Sequence, residues 1–447
     1  MAIDSRNIFA LIKAQYATQG GGPKPRRYSM GGKDNNTLAK SYNAAGTNMI
    51  ADVGTDALNN LLYGNALVTP LATPIDLKIQ ANGKIATVNP FFVNANETTN
   101  LEIVAITCIF SVAAGSTATG YVSKEVQGQA IPGTSCQSGT FNLNATANTY
   151  QTATLAGAMG YPSLVLAPGE QLTFNISAVA SLAGLAVTVW VRPSTGVSIA
   201  GLARAANTDI VTLATPTFYL NLVPGQTVRA VAMRWSTAGT NSGTVTVDIT
   251  KDVPTDVPGA GTSILSAAQS VKTTANTAVF PALSGTASVL KMNIGDRLTV
   301  KKTGTFTALA GLVIDVFFNS GPDQHIVVPF SGWDAPSTDR TVFVANQPLV
   351  VVDCWESWST VSTSLTQLLT VDRGTTAPGA GTGLQTDNTN TGILTSGTIN
   401  TPVGSVMLAD ATRQQLWLGA GDRLGIKNAG TAASVAGIVG SILLRKP

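Results

Sequence analysis

Short runs in which apolar and polar residues alternate, separated by glycine turns, recur along most of the chain. The clearest is PGEQLTFNISAVASLAGLAVTVWVRP, over residues 168–193. Alternation with a period of two is typical of a β-strand with one face in a core. A glycine followed by an acidic residue is typical of a turn that enters a strand. This segment therefore predicts two strands joined by a tight turn into a hairpin with one buried face.

The same segment occurs three times. Residues 294–319 read IGDRLTVKKTGTFTALAGLVIDVFFN, and residues 420–445 read AGDRLGIKNAGTAASVAGIVGSILLR. Two glycines and one acidic residue keep their register in each copy, apart from a one-residue offset at the second glycine of the first copy: Gly169, Glu170 and Gly184; Gly295, Asp296 and Gly311; Gly421, Asp422 and Gly437. A fixed register of this kind predicts three tandem repeats of one structural unit.

Earlier landmarks recur in the same order. Each copy has an apolar run that ends in an aromatic residue, at Phe110, Trp235 and Trp358, and then a turn-rich connector, IPGTS in the first copy and PGAGT in the others. The period of about 125 residues is far longer than a solenoid repeat, so each copy is large enough for its own core. We expect seven to nine short strands per copy, in a jelly-roll or an immunoglobulin-like sandwich; alternation does not distinguish these two strand orders.

The sequence thus predicts an all-β protein of three tandem antiparallel β-sandwich domains behind a short helical and extended N-terminal segment. We place the segment at residues 1–69 and the sandwiches at 70–196, 197–322 and 323–447. A strand of about nine residues spans roughly 30 Å, so three sandwiches arranged end to end would extend on the order of 100 Å.

Residues 1–69 match no part of the repeat. An apolar helical face is predicted near the start, a second short helix over 55–64, and a basic glycine-rich arm between them. A solvated tail is one interpretation. The other, which we favour, is an anchor that orders on an acidic or apolar partner surface, with nucleic acid as a lesser alternative. The residues assigned to the anchor are Ile8, Phe9, Ile12 and Tyr16 of the helix and Lys24, Arg26, Arg27 and Lys33 of the arm.

Composition excludes several classes of protein. Apolar residues make up 44% of the chain, which argues against disorder, and charged residues make up only 11%, against roughly 25% in an average domain. The net charge of +3 gives no support to a nucleic-acid partner. No signal peptide and no apolar run long enough to span a membrane is visible, so we expect synthesis in a cytoplasm without membrane insertion. Three cysteines without CxxC spacing predict neither a zinc site nor a disulfide framework.

Candidate chemistry is sparse, and we predict no enzymatic activity, cofactor or metal site. The single histidine, His325, leaves most nucleophilic and metal schemes without a second imidazole. We interpret the acidic residues after the repeated glycines, Glu170, Asp296 and Asp422, as turn residues. One cluster in the third copy pairs carboxylates with aromatic side chains and could contact a glycan, although a partly buried strand end is the simpler interpretation, which we favour: Asp353, Trp355, Glu356 and Trp358.

Low charge, abundant glycine, alanine and threonine, and tandem sandwiches carrying the GDRLTVKKTGTFTALAGLVIDVFF segment resemble tailed-bacteriophage virion proteins. The resemblance covers the three repeats and rests on architecture rather than on a diagnostic motif. It implies a late structural protein of the virion, commonly a homotrimer, that decorates the capsid or projects as a head fibre. The N-terminal segment would then bind the major capsid protein or another virion protein. A tail-side fibre that recognises a host surface glycan is the alternative; a cell-surface adhesin is a third class, for which an export signal would be expected.

Overall fold

A computed structural model of the chain describes residues 87–445, apart from 96–99, 116, 159, 194–200, 207–215, 319–324, 334–338, 346, 362–364, 387–392, 395–397, 409–414 and 431–435. The described residues belong to one compact unit, Leu71–Pro447. They form six antiparallel sheets, two from each repeat, which we call sandwiches 1, 2 and 3. The predicted all-β architecture of antiparallel sandwiches is confirmed. The predicted domain bounds stay predictions, because they fall at or beside residues outside the described part.

The strands follow one another in the same order in each sandwich. Sandwich 1 contains β1 (Val88–Val93), β2 (Leu101–Ile109), β3 (Thr119–Glu125), β4 (Thr134–Ser135), β5 (Phe141–Asn142), β6 (Gln151–Thr152), β7 (Val165–Leu166), β8 (Gln171–Ile176) and β9 (Ala186–Pro193). Sandwich 2 contains β10 (Gly201–Ala206), β11 (Thr217–Leu220), β12 (Gln226–Arg234), β13 (Thr246–Asp252), β14 (Thr262–Ser263), β15 (Gln269–Ser270), the short helix α1 (Ala287–Leu290), β16 (Lys291–Met292), β17 (Arg297–Thr303) and β18 (Val313–Phe318). Sandwich 3 contains β19 (His325–Trp333), β20 (Arg340–Val344), β21 (Leu349–Ser357), β22 (Thr366–Asp372), β23 (Thr382–Gly383), β24 (Ile393–Leu394), β25 (Val403–Gly404), β26 (Trp417–Leu418), β27 (Arg423–Ala429) and β28 (Ile438–Arg445).

The strand order is that of a jelly roll. In sandwich 2 the sheets run β10-β18-β12-β16 and β11-β17-β13-β14, so the first strand pairs with the last and the second with the one before it. Sandwich 3 repeats this nested order as β19-β28-β21-β25 and β20-β27-β22-β23. In sandwich 1 the described strands fit the same scheme, as β1-β8-β3-β4 and as β2 paired with β6, β7 and β9. Nested pairing wraps a long hairpin into two sheets, which distinguishes the fold from an immunoglobulin-like sandwich.

The predicted hairpin of the repeated segment is wrong, although both of its strands exist. The first strand of the segment, β8, β17 or β27, lies between two strands of one sheet, whereas the second, β9, β18 or β28, lies in the opposite sheet. The turn between them crosses the sandwich. Glycines with positive φ make this turn, at 58° for Gly184 and 62° for Gly311 and Gly437. A tight glycine turn and alternation are common to a hairpin and a sandwich corner, so the sequence pattern does not encode which sheet the second strand joins.

The turn that enters the segment has one construction in all three sandwiches. Its glycine has a φ of 77° at Gly169, 88° at Gly295 and 89° at Gly421, a region that side chains disfavour. The following carboxylate accepts a hydrogen bond from the backbone N–H three residues before it. The bonds join Glu170 to Ala167, Asp296 to Asn293 and Asp422 to Gly419, each at 2.8 Å. The interpretation of these acidic residues as turn residues is therefore confirmed.

A buried carboxylate at the end of the fourth strand organises the glycine-rich connector. Asp252 accepts hydrogen bonds from the backbone N–H groups of Gly259 at 3.0 Å and Gly261 at 2.9 Å, and from the Thr299 hydroxyl. In sandwich 3, Asp372 accepts the N–H groups of Gly379 at 3.1 Å and Gly381 at 2.9 Å. Burial raises the pKa of Asp372, and these hydrogen bonds oppose that rise. The carboxylate thus supplies acceptors to two backbone N–H groups of the connector.

This construction predicts that Asp252→Asn destabilises the protein by about 1–3 kcal/mol, because an amide has one acceptor oxygen and its NH₂ would face a backbone donor. Urea unfolding measures the change. The control is Asp256→Asn in the same loop, whose carboxylate accepts a single exposed hydrogen bond, from the Val253 N–H at 3.0 Å. That variant should stay within about 0.5 kcal/mol of the parent. Equal midpoints for the two variants would contradict the assigned role of Asp252.

Candidate functional site in the interfaces between sandwiches

The last strand of each sandwich is buried on both faces. In β18, the inward side chains of Ile314, Val316 and Phe318 belong to the core of sandwich 2. The outward side chains of Val313 and Phe317 are equally buried, but they pack in the core of sandwich 1. A strand with two buried faces does not show the polar and apolar alternation of a one-sided strand. The outward face of the last strand is therefore an interface between sandwiches.

Interface 1–2 joins strand β1 of sandwich 1 to the β18 sheet of sandwich 2. The aromatic rings of Phe92 and Phe317 stack with their centroids 6.4 Å apart. Beside them, the backbone N–H of Val93 donates to Oδ2 of the fully buried Asp315 at 2.6 Å. A hydrogen bond to a charged acceptor is stronger than one between neutral groups, so it fixes the register of β1 on its neighbour.

Interface 2–3 uses the equivalent surfaces. Strand β11 packs against β19 and β28 of sandwich 3. Three side chains of sandwich 3, those of Val327, Val439 and Leu443, belong to the core cluster of sandwich 2. The backbone N–H of Thr255 donates to the carbonyl of Asn400 at 2.9 Å. As at interface 1–2, a strand of one sandwich, here β11 in the place of β1, meets the last strand of the next.

Interface 3–1 repeats the arrangement a third time. Strand β20 packs against β9 of sandwich 1. The centroids of the Trp190 and Phe343 rings are 6.0 Å apart, and Trp190 lies within the core cluster of sandwich 3. Ile109 and Ala186 of sandwich 1 form a further buried cluster with Val344.

Each sandwich therefore contacts both others, and the three form a closed ring through one head-to-tail type of interface. The expected end-to-end arrangement is wrong, because such a chain would lack interface 3–1. The outward face of the last strand is the physical reason: its apolar side chains are covered only when β1, β11 or β20 of the preceding sandwich in the ring packs on them.

Three buried arginines lie beside these interfaces, and sequence reasoning missed them. Arg234, Arg297 and Arg423 are among the largest fully buried side chains of the described residues. Nη1 of Arg234 donates to the carbonyls of Glu125 and Gly169, both at 3.1 Å. Burial lowers the pKa of Arg234 to about 10, against the opposing influence of nearby carboxylates. The guanidinium therefore stays charged at neutral pH, and its charge is met by carbonyl oxygens of the neighbouring sandwich.

An asparagine in the left-handed region also recurs in each sandwich. Asn148, Asn276 and Asn400 have φ values of 58°, 59° and 56°. The N–H of each donates to the carbonyl of the aromatic residue that follows β2, β12 or β21, at 2.8 Å for Phe110 and Trp235 and 2.7 Å for Trp358. The carbonyl of Asn276 then accepts the Gly128 N–H of sandwich 1 at 2.8 Å. The signal was present in the sequence, since each of these asparagines precedes a threonine at spacings of 128 and 124 residues.

The glycan cluster occupies the sandwich 3 side of interface 2–3. Glu356 and Trp358 are each 1% exposed, and Trp358 lies in the core of sandwich 3. Nε1 of Trp355 donates to Oδ2 of Asp353 at 2.8 Å, while the Trp355 ring packs against the core of sandwich 2. Burial raises the pKa of Asp353. Glycan contact at these residues stays a prediction, with only Asp353 and Trp355 partly exposed.

The predicted anchor residues fall outside the described part of the chain: Ile8, Phe9, Ile12, Tyr16, Lys24, Arg26, Arg27 and Lys33. Within the described ranges, no group of three or more metal-ligating side chains converges. All three cysteines are buried, and burial raises the pKa of Cys136 to about 12. No helix among the described residues has the length and apolar character needed to cross a membrane.

Comparison with known proteins gives little further information. No protein-family model matches the chain. No curated protein matches it either. Among solved structures, the chain is similar to the infectious bursal disease virus VP2 subviral particle, with a TM-score of 0.16 and 11% identity over 86% of this chain and 76% of that one. It is also similar to the infectious bursal disease virus Gx strain structure, with a TM-score of 0.12 and 12% identity over 86% and 80%. TM-scores of this size do not establish a common fold.

The ring predicts that Trp190→Ala opens interface 3–1 while the other two interfaces hold. Truncating a buried tryptophan costs about 3–5 kcal/mol, and Trp190 packs across this interface. Hydrogen exchange should accelerate in β20 and β9 and stay unchanged in β13, at the far side of sandwich 2. Trp417→Ala is the control, since that side chain is 47% exposed. Uniform acceleration along the chain would show that Trp190 supports the whole fold rather than one interface.

Proposed function

We propose that this chain is a non-enzymatic structural protein of a virion. Its N-terminal arm would bind the major capsid protein or another virion protein, and its sandwich ring would form a capsid decoration or the base of a head fibre. The observation that carries the proposal is the closed ring of three jelly rolls. Jelly rolls are common building blocks of viral shells, and a unit with threefold repetition fits the threefold positions of a symmetric shell.

The placement of the acidic residues supports a role without catalysis. The carboxylates that recur in the repeats bind backbone N–H groups, as Asp296 does with Asn293 and Asp252 with Gly259 and Gly261. A carboxylate whose oxygens are occupied in this way positions a turn. The chain would therefore act through its shape and its surface, with no cofactor.

Immunogold labelling of intact phage particles tests the proposal. An antibody raised against residues 70–447 should label the head, because a decoration protein is exposed on the assembled capsid. Antibody that has been adsorbed with the purified protein is the control for specificity. Label at the tail would instead support the fibre that recognises a host glycan. Absence of label from every particle would overturn the virion assignment.

The ring also bears on the predicted homotrimer. A head-to-tail interface that closes after three sandwiches leaves no copy of itself free to join another chain. We therefore propose that one chain occupies each threefold position, in place of three chains.

Sedimentation of the purified protein should accordingly give the mass of one chain, 45.9 kDa. A species of three times that mass would restore the homotrimer, and it would require a contact surface other than the three interfaces described above. Measurement over a range of protein concentrations separates a stable trimer from weak association.

A further inference from the structure

A set of backbone carbonyls that follows β3, β13 or β22 accepts hydrogen bonds from one guanidinium group in each sandwich; we call this set the carbonyl cradle. In sandwich 2 it consists of the carbonyls of Val253 and Asp256, which accept from Nη2 of Arg297 at 3.4 and 2.7 Å. In sandwich 3 it consists of the carbonyls of Gly374 and Thr376, which accept from Nη2 of Arg423 at 2.9 and 2.8 Å.

The cradle of sandwich 1 binds a guanidinium in the same way, but from another sandwich. The carbonyls of Val126 and Gln129 accept from Nη2 of Arg234 at 3.1 and 3.0 Å. Arg234 ends strand β12 of sandwich 2. The position that supplies the arginine in the other two sandwiches, at the start of β17 and of β27, is Gln171 at the start of β8 here. A guanidinium group therefore occupies the cradle in all three sandwiches, but in sandwich 1 it comes from the other side of interface 1–2.

The residue on the neighbouring sandwich that faces this position also differs from one interface to the next. The last residue of β2, β12 or β21 is Ile109 in sandwich 1, Arg234 in sandwich 2 and Ser357 in sandwich 3. At interface 2–3, Ser357 accepts a hydrogen bond from Nη1 of Arg297 at 3.3 Å. At interface 3–1, Ile109 is buried against Val344, which lies opposite Arg423 in the pairing of β20 with β27. Each interface therefore combines one arginine with one uncharged residue at these two positions.

We infer that the side of each interface that supplies the arginine determines which sandwich packs next to which in the ring. The cradle of sandwich 1 is complete only when sandwich 2 packs on it, because Ser357 or Ile109 in place of Arg234 would remove the guanidinium that donates to the buried carbonyls of Glu125 and Gly169. The cradle of sandwich 2 is already filled by Arg297, so a neighbour carrying Arg234 would bring a second guanidinium into the same buried place. Both mispairings are penalised, which favours the order 1–2–3 within one chain over pairing with a second copy.

The first test exchanges the arginine at interface 1–2. Arg234→Ser leaves the cradle empty, and Gln171→Arg places two guanidinium groups in it. Each single variant should accelerate amide exchange in β1 by roughly 5- to 150-fold, the equivalent of an unpaired buried polar group. The double variant has the arrangement of interface 2–3 and should return to within about threefold of the parent protein. Arg229→Ser, on the same strand but partly exposed, is the control and should leave exchange unchanged.

The second test creates a mispairing at interface 2–3. Ser357→Arg imitates a ring in which sandwich 2 is followed by another sandwich 2, and it should accelerate exchange in β11 over the same range. Adding Arg297→Gln transplants the arrangement of interface 1–2 and should reverse the effect. Recovery in both double variants would support the inference, since a general loss of packing is not repaired by a second substitution. Double variants no more stable than the singles, or a Ser357→Arg protein that behaves as the parent, would overturn it.

Discussion

The outward face of the last strand in each sandwich is the constraint on which the rest of the molecule depends. Ala186 and Trp190 on β9, Val313 and Phe317 on β18, and Val439 and Leu443 on β28 are buried although they point away from their own core. Leaving such a face in water would cost the hydrophobic free energy of several large side chains. When the preceding sandwich covers it, the last strand of that sandwich must be covered in turn. The requirement is met in all three sandwiches only when the ring closes.

Much of the fold could be predicted from the sequence because turns and alternation are local properties. The glycines at 169, 295 and 421 need a positive φ, and the carboxylate after each must satisfy a nearby N–H, so spacing alone locates the turns. Strand pairing is not local. The corner between β17 and β18 has the composition of a hairpin turn, and only the wrapping of the whole sandwich shows that it joins two sheets.

The interfaces between sandwiches are not evident from the sequence, for a related reason. An outward face that includes Thr188, Asp315 or Ser441 resembles a solvent-facing face when it is judged by polarity, and a buried carboxylate such as that of Asp315 is evident only with its backbone donor in place. The apolar neighbours on that face, Val313 and Phe317, were a usable sign of two-sided burial. Arg297 and Arg423 recur in the repeat, whereas the replacement at Gln171 acquires a meaning only when Arg234 is known to lie opposite. The anchor at residues 1–69 and the glycan cluster stay predictions.

Covalent connection gives the three interfaces a property that three separate subunits would lack. When interface 3–1 opens, Trp190 and Phe343 remain held near each other through the two interfaces that persist. Rejoining is then an intramolecular step whose effective concentration can be on the order of millimolar. A sandwich leaves the ring only after two neighbouring contacts have failed together, and dilution has no influence on that event. Such a ring tolerates transient opening at any single contact and still keeps its sandwiches in order.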